Sequence, residues 1–384
     1  MKQVRFGSMA ALVVGAAILG AALIPAPVAA QTSKAAAYKY NDSHFHLTNY
    51  IQEGTPLADY VKMMDGVVKR STVFGIPLQQ TWDYENSGDY APTYYLQSDA
   101  PLYYYSFTDA VIAMQYKALP ADQQARLDPM ITGFNPADMY AADHIRRVLL
   151  TFPGVFSGIG EFTIHKEFVS SKIAGGTASL NNPALDRLLD FCGEAGLVAI
   201  LHSDIDMPFP KPGQDPYLVM QMKGLIERHP GTTIIWAHAG LGRVVHPVTD
   251  QISIFERGLG NPALSNLYVD ISWDETAKWI TKTPEGLKRM ADLMNKYPDR
   301  FLFGSDVVAP QSIDSPMAVY NAYATLWKSL TPETRQKVLF TNYERLFDAA
   351  RVKVRAWEQE NVGKPLPVPA PTPASGYQLE GQKK

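Results

Sequence analysis

The chain has 384 residues, with 35 lysines and arginines, 38 aspartates and glutamates, and one cysteine. A formal net charge of -3 gives no electrostatic basis for binding nucleic acid, and the lone Cys192 excludes an intrachain disulfide and a zinc site built from cysteines. Hydrophobic residues make up 46% of the chain and charged residues 19%, which excludes a disordered protein and fits one large domain or two ordinary ones.

Residues 1–30 have the pattern of a secretory signal peptide. Lys2 and Arg5 form a basic start, residues 9–24 are apolar and uncharged, and Val28 and Ala30 place small residues before a cleavage site near Ala30. The apolar run is shorter than the ~20 residues that span a bilayer, so we expect cleavage and no stable membrane anchor afterwards. The predicted location is the periplasm or the outside of the cell.

Residues 36–357 alternate short β-branched runs with segments of helical periodicity. Eight strands are predicted at residues 38–43, 71–78, 129–134, 155–162, 197–202, 232–238, 267–272 and 301–306. Helices are predicted between them, including residues 57–69, 183–195, 217–228, 284–296, 316–329 and 343–354. Several strands are apolar on both faces, as in a covered parallel sheet. Eight βα units favour an α/β fold of the closed (β/α)8, or TIM, barrel type over an open doubly wound sheet.

An aromatic-rich insertion, residues 80–107, follows the second predicted strand. Two interpretations remain open: a lid over an organic substrate, or a loop with a small core of its own. Trp82 and Tyr104 are candidate substrate-binding residues on the first interpretation. Residues 358–384 contain closely spaced prolines and are predicted to be an extended or disordered tail.

Histidines and acidic residues recur at the C-terminal ends of the predicted strands 1, 4, 5, 6 and 8. These ends meet at one mouth of a parallel barrel, and residues two apart on a strand share a face. Such a cluster is costly to bury unless a divalent cation pairs its members; zinc is the favoured ion because it accepts imidazole and carboxylate ligands. The residues are His44, His46, Glu161, His202, His238 and Asp306.

In these motifs the chain resembles the amidohydrolase superfamily. The similarity is greatest to the amidohydrolase-related branch, which includes aminocarboxymuconate-semialdehyde decarboxylase, resorcylate decarboxylases and pyrone-dicarboxylate lactonase. The resemblance covers residues 42–350 and implies a (β/α)8 barrel with a metal at its C-terminal mouth. The matching motifs are Asp42-Ser43-His44-Phe45-His46, Gly158-Ile159-Gly160-Glu161, His202, His238-Ala239-Gly240 and Gly304-Ser305-Asp306.

The resemblance also implies roles for these residues. His44, His46, His202 and Asp306 would hold the metal, and Asp306 would also take a proton from the attacking water. His238 would polarise the substrate or assist proton transfer.

The resemblance implies that Glu161 stands at the position where the family divides: some members carry a carboxylated lysine there and hold two metals, and others use a glutamate as the bridge. As a bridge it would hold two ions, with His202 and His238 binding the second. We favour a single ion with Glu161 as a hydrogen-bond acceptor, and one sequence leaves both arrangements open.

The predicted function is an exported metal-dependent hydrolase that cleaves an amide, ester or lactone bond of a small organic substrate. The aromatic insertion favours a substrate that is aromatic or otherwise apolar. Arg243, five residues after His238, is a further candidate for binding a substrate carboxylate. Three alternatives remain: a decarboxylase with nearly the same ligands, a metal-free lactonase, and a non-catalytic periplasmic barrel that binds a metal or another ligand. The sequence does not indicate an oligomeric state.

Overall fold

The computed structural model describes residues 38–80, 101–166, 179–205, 215–242, 247–248 and 250–365. Eight parallel strands form one sheet in which each strand pairs with the next along the chain. The strands are β1 (Tyr40–Asp42), β2 (Val68–Val73), β3 (Leu127–Ile131), β4 (Gly158–His165), β5 (Val198–Ser203), β6 (Ile234–Trp236), β7 (Leu267–Asp270) and β8 (Phe301–Leu302).

The sheet closes on itself between β8 and β1. The amide of Ser43 donates a hydrogen bond to the carbonyl of Phe303 at 3.0 Å. Beyond this point two short extensions, Phe45–His46 and Val307–Val308, pair in parallel. The eight strands therefore form the predicted (β/α)8 barrel, and their C-terminal ends meet at one mouth.

Helices lie between and after the strands. Their bounds are α1 (Leu57–Met63), α2 (Thr108–Ala118), α3 (Ala121–Gln124), α4 (Ala141–Thr151), α5 (Pro183–Ala195), α6 (Tyr217–Arg228), α7 (Gln251–Leu259), α8 (Asp274–Thr281), α9 (Pro284–Lys296), α10 (Asp314–Ala322), α11 (Ala324–Ser329), α12 (Pro332–Gln336) and α13 (Asn342–Asn361). Within the part of the chain given above, no helix combines the length and the apolarity needed to cross a membrane.

The helix α5 shows how local sequence sets an element. The Asn182 side chain accepts a hydrogen bond from the amide of Ala184 at 2.9 Å, and Pro183 occupies the first helical position. Gly196 ends the helix with a positive φ of 80°, a conformation that glycine adopts without steric cost. The helix is thus bounded by its own sequence before tertiary packing adds to its stability.

The barrel core uses both faces of the strands. In β5, Val198 and Ile200 belong to one buried cluster, whereas Ala199 and Leu201 belong to another. The first cluster also contains Phe347 of α13. Apolar residues on alternate faces of one strand are what a sheet covered on both sides requires, as the sequence predicted.

Several boundaries differ from prediction. The second strand ends at Val73 rather than at residue 78, because the apolar residues Ile76 and Leu78 leave the sheet and pack with Tyr104 in a separate cluster. The predicted helix at residues 316–329 is divided into α10 and α11. The helix α13 continues through Asn361, so it includes four residues that the sequence analysis assigned to the tail.

The segment between β2 and α2 contains a short antiparallel pair of strands, in which Gln79–Gln80 pairs with Leu102–Tyr103. Residues 81–100, which include Trp82, lie outside the described residues. The same holds for the predicted signal peptide, for Arg243 and for the tail beyond residue 365.

Candidate metal centre

The structure brings the strand-end histidines and acids together at the C-terminal mouth of the barrel. The four histidines and Glu161 are each at most 4% exposed, and the Asp306 side chain is 12% exposed. The set consists of His44, His46, Glu161, His202, His238 and Asp306. Within this set, His44, His46 and Asp306 form one group of potential metal ligands, and Glu161, His202 and His238 form the other. A third group combines His44 and His238 with Asp270, which lies outside the set.

His44 and His46 direct their Nε2 atoms toward Asp306. The Nδ1 atom of His46 donates to the carbonyl oxygen of Gly75 at 3.1 Å, and Nδ1 of His44 lies 2.7 Å from Oδ2 of Asp270. Since both partners accept, each neutral ring carries its lone pair on Nε2. These Nε2 atoms are 3.1 Å (His46) and 3.4 Å (His44) from Oδ1 of Asp306.

Glu161 lies between two histidine pairs. Its Oε2 atom is 3.4 Å from Nε2 of His46 and 3.7 Å from Nε2 of His44. Its Oε1 atom is 2.7 Å from Nδ1 of His202 and 3.1 Å from Nε2 of His238. The two carboxylate oxygens therefore face different sets of imidazole nitrogens.

Outer partners hold the second histidine pair. The Nε2 atom of His202 is 2.8 Å from Oδ1 of Asp204, and Nδ1 of His238 is 2.8 Å from Oγ of Ser272. Ser272 in turn lies 2.9 Å from Oδ2 of Asp270. Partners of this kind orient histidine ligands in metal sites.

The sequence analysis missed Asp204, Asp270 and Ser272. Two signals were available. Asp204 follows His202 by two residues, as His46 follows His44. Asp270 ends β7, which placed no residue in the predicted cluster.

Asp42 fixes the relative position of the first and eighth strands. Its Oδ1 atom accepts hydrogen bonds from the amides of His44 (3.0 Å) and Ser305 (2.9 Å), and its Oδ2 atom accepts from Oγ of Ser305 at 2.6 Å. The amide of Asp306 also donates to the carbonyl of His44 at 2.7 Å. These hydrogen bonds set the distance between the candidate ligands after β1, His44 and His46, and the candidate ligand after β8, Asp306.

Two backbone features help place the acids and imidazoles. Gly160 has a φ of 119°, and a Cβ atom there would overlap the carbonyl oxygen of Ile200, so the approach of β4 to β5 next to Glu161 requires glycine. His238 has a φ of 53°, in the left-handed region that non-glycine residues adopt at a cost of ~1–2 kcal/mol. Strain of this kind persists where surrounding contacts hold the residue, as Ser272 does here.

The buried carboxylates of the cluster favour positive charge on or between its side chains. Burial raises the pKa of Glu161, but the positive charge of Lys166 and the close contacts with His202 and His238 hold that pKa well below its usual range. Burial lowers the pKa of His44, but Asp306 and Asp270 outweigh this effect and raise it well above its usual value. The buried carboxylates likewise raise the pKa of His46 and His202, whereas burial outweighs them at His238 and lowers its pKa.

The donor set fits a divalent cation. The Nε2 atom of His44 is buried and has no hydrogen-bond partner in the described part of the chain, although it faces two carboxylates. Imidazole and carboxylate ligands, held by hydrogen bonds from outside, are a set that zinc and similar ions accept. A cation would give that nitrogen a partner and replace the protons on the imidazoles.

A cavity of about 580 Å³ opens onto this centre. His46, Glu161 and Asp306 form its polar floor, while its walls include Ile76, Pro77, Leu78, Trp273, Val307 and Val308. Tyr104 does not line it: its side chain is 4% exposed and packs behind the wall with Ile76 and Leu78. Tyr104 thus belongs to the small separate core that the sequence analysis gave as the alternative to a lid.

Comparison with solved structures gives distant matches. The chain is 14% identical to dihydroorotase from Campylobacter jejuni, with 81% of this chain and 83% of that chain covered and a TM-score of 0.46. It is 14% identical to 5-carboxyvanillate decarboxylase from Sphingomonas paucimobilis (76% and 80% covered, TM-score 0.39). It is 12% identical to a zinc-bound amidohydrolase from Burkholderia multivorans (76% and 86% covered, TM-score 0.44).

A search of curated protein sequences finds no match to the chain. The sequence model of the amidohydrolase family, by contrast, matches residues 42–349, which include every member of the cluster and all eight strands except the first two residues of β1. The match extends over most of the chain and agrees with the resemblance drawn from the strand-end motifs. The protein belongs to the amidohydrolase family of metal-dependent enzymes.

Proposed function

We propose that this amidohydrolase binds two divalent cations with Glu161 between them, and that it hydrolyses an amide, ester or lactone bond of a small organic molecule. Family membership supports a metal-dependent enzyme; the number of ions and the bond are inferred from the site. The proposal departs from the single ion favoured by the sequence. The ligands would be His44, His46 and Asp306 for one cation, His202 and His238 for the other, and Glu161 for both.

The position of the Glu161 carboxylate carries the proposal. Its Oε2 atom faces Nε2 of His46 at 3.4 Å, and its Oε1 atom lies 2.7 Å from Nδ1 of His202. A carboxylate that served a single ion would need only one of these histidine pairs on the metal side. Each oxygen here has its own pair, which is the arrangement a bridging carboxylate needs.

Zinc is the proposed ion, because the candidate ligands are imidazoles and carboxylates, which it accepts. A bound divalent cation supplies Lewis acidity, which polarises a carbonyl and lowers the pKa of water.

Asp306 is the proposed proton acceptor. Its side chain is 12% exposed and lines the cavity, so a water molecule or substrate entering from the mouth can reach it. Its amide donates a hydrogen bond to the carbonyl of His44, which fixes the backbone that carries this carboxylate at the floor of the cavity. A positioned carboxylate within hydrogen-bond reach of the attacking water is what general-base catalysis requires. In this proposal His238 is a ligand, and not the group that polarises the substrate or assists proton transfer, as the resemblance implied.

The cavity supports a small organic substrate. A volume of about 580 Å³ lies within the usual range for small-molecule sites, and an apolar wall beside a polar floor suits a molecule with an apolar body and one polar reacting group. We also propose export of the protein, supported by the signal-like pattern of residues 1–30.

Metal content and product analysis test the proposal. The protein purified without chelator should hold two ions per chain, and Glu161→Gln should lose at least one of them. Lactones, esters and amides should be assayed for release of acid, with release of CO2 measured in parallel. One ion in the wild type would contradict the bridging role, CO2 release without hydrolysis would indicate the decarboxylase alternative, and a folded protein that binds no ion would overturn the metal mechanism.

A further inference from the structure

A buried hydrogen-bonded chain links the two histidine pairs behind the proposed cations. Nδ1 of His44 lies 2.7 Å from Oδ2 of Asp270, and Oγ of Ser272 lies 2.9 Å from the same oxygen. Oγ of Ser272 is also 2.8 Å from Nδ1 of His238. All four side chains are at most 1% exposed, so water does not compete for these bonds.

The direction of each bond follows from the donors available. The Asp270 carboxylate accepts from His44 and from the single hydroxyl proton of Ser272. With that proton committed, Oγ of Ser272 accepts from Nδ1 of His238. The amide of Ser272 also donates to Oδ1 of Asp270 at 2.6 Å, which holds the serine in place.

This ordering gives His238 a defined tautomer. A neutral ring with its proton on Nδ1 carries a lone pair on Nε2, and that atom lies 3.1 Å from Oε1 of Glu161. Two acceptors that face each other need positive charge between them. A cation held by His238 and Glu161 would supply it.

We propose that Ser272 is a positioning residue that makes His238 a cation ligand, and that Asp270 couples the two cation positions by orienting a ligand of each. This inference rests on the two-cation centre proposed above. Asp270 reaches His44 directly, but it reaches His238 only through Ser272. The two residues therefore have unequal effects: removing the Ser272 hydroxyl releases His238 alone, whereas removing the Asp270 charge releases both histidines.

Ser203 provides a matched control. It is a buried serine at the end of β5, next to His202, and its hydroxyl has no hydrogen-bond partner among the described residues. Ser203→Ala makes the same chemical change as Ser272→Ala at a comparable place in the barrel, but it breaks no link to a candidate ligand.

The test is zinc titration of the metal-free protein against a competing chelator. Ser272→Ala should bind one ion as the wild type does and the second ion ~10–100-fold more weakly, the usual effect of losing an outer partner. Asp270→Asn should weaken both ions, and Ser203→Ala neither. If Ser272→Ala does not fold, Ser272→Gly removes the same hydroxyl.

A second readout uses the unaltered protein. The 15N chemical shifts of His238 in the metal-free state should show the proton on Nδ1, and in the Ser272 variant a mixture of tautomers. Two ions in the wild type with unchanged affinities in Ser272→Ala, or a wild-type His238 protonated on Nε2 alone, would overturn this inference while the proposed function stands. A wild type that binds fewer than two ions would overturn both.

Discussion

A Cβ atom on Gly304 would lie 2.6 Å from the backbone nitrogen of His44, a separation at which the backbone must shift. This close approach brings the chain after β8 alongside the end of β1. It lets the amide of Asp306 donate to the carbonyl of His44, and it lets Ser305 reach Asp42. The absence of a side chain at one position thus sets the spacing of ligands that are far apart in sequence.

Gly304→Ala should therefore weaken metal binding and lower the free energy of unfolding by ~1–3 kcal/mol, the usual cost of overfilling a packed site. Both quantities are measurable, by metal titration and by urea unfolding of the metal-free protein. Gly231→Ala is the control, because a Cβ atom at Gly231 would meet nothing within 4 Å. A Gly304→Ala protein with unchanged metal affinity would show that this approach does not position the ligands.

Removing bound metal should lower the melting temperature. A ligand that binds only the folded state stabilises it by about 2.7 kcal/mol when its concentration is 100 times its dissociation constant. His44→Ala should melt lower than the wild type and respond less to a chelator, because it loses a ligand of one of the two proposed cations. His229→Ala should keep the full change in melting temperature on adding a chelator. His229 is hydrogen-bonded to Asp186 and Asp190 and belongs to no group of candidate ligands. Equal melting temperatures with and without chelator in the wild type would contradict the expectation.

The fold could be predicted because its signal is carried by each strand separately. A strand buried on both faces carries apolar residues on both, as Val198 to Leu201 do in β5. Eight short strand-like runs separated by helical segments leave few alternatives to a barrel. The predicted positions of the strand ends were less accurate. Ile76 and Leu78 are as apolar as strand residues, yet they are buried by packing with Tyr104 outside the sheet.

The candidate ligands could be predicted because parallel strands bring their C-terminal ends together whatever their spacing in sequence. The outer partners could not be predicted in the same way. Asp270 contacts His44 across 226 positions in the chain, and its place at the end of β7 is its one local signal. The bridging position proposed for Glu161 depends likewise on where each carboxylate oxygen points, which spacing does not determine.

A buried carboxylate in β3, outside the candidate metal centre, is expected to contribute to stability. Asp128 is fully buried and accepts hydrogen bonds from Arg70, Tyr343 and Arg351. Asp128→Asn should lower the free energy of unfolding by ~3–5 kcal/mol, because the charge of Arg70 is left largely buried without its main partner. Metal content should not change, since Asp128 is in no group of candidate ligands.

The control for this prediction is Asp292→Asn. Asp292 pairs with Lys288 at 2.7 Å on the surface, and exposed pairs of this kind contribute ~0–1 kcal/mol. Urea unfolding of both variants gives the comparison. A loss at Asp128 no larger than at Asp292, or a loss of metal from Asp128→Asn, would contradict the assignment.

His144 should make stability depend on pH. Burial, together with the positive charge of Arg147, lowers the pKa of His144 below its ordinary value of 6.5, although Asp138 opposes this effect. The unfolded chain therefore binds more protons than the folded protein below about pH 6.5, so stability falls as the pH decreases through that range.

In His144→Gln this contribution is lost. Its free energy of unfolding should fall less steeply than that of the wild type below about pH 6.5, by at most ~1.4 kcal/mol per pH unit, and the two slopes should agree above pH 7.5. Urea unfolding from pH 5 to 8 measures the difference. If the unfolding free energies of the two proteins change with pH in parallel over the whole range, His144 has the same pKa in the folded and the unfolded state.

Lys166 should favour substrates that carry negative charge. It lines the cavity just beyond β4, its Nζ atom lies 5.9 Å from the centre of the Trp273 ring, and its charge acts on Glu161. Lys278 lines the same cavity, but its side chain is 61% exposed and forms an ion pair with Asp274 at 2.8 Å.

Lys166→Met should lower kcat/KM about tenfold more for a substrate with a carboxylate than for its neutral analogue, which corresponds to ~1.4 kcal/mol. Lys278→Met should change both substrates alike, because the charge of Lys278 is screened by solvent and by its partner. An equal effect of Lys166→Met on both substrates would mean that Lys166 acts on the charge of the floor and not on the substrate.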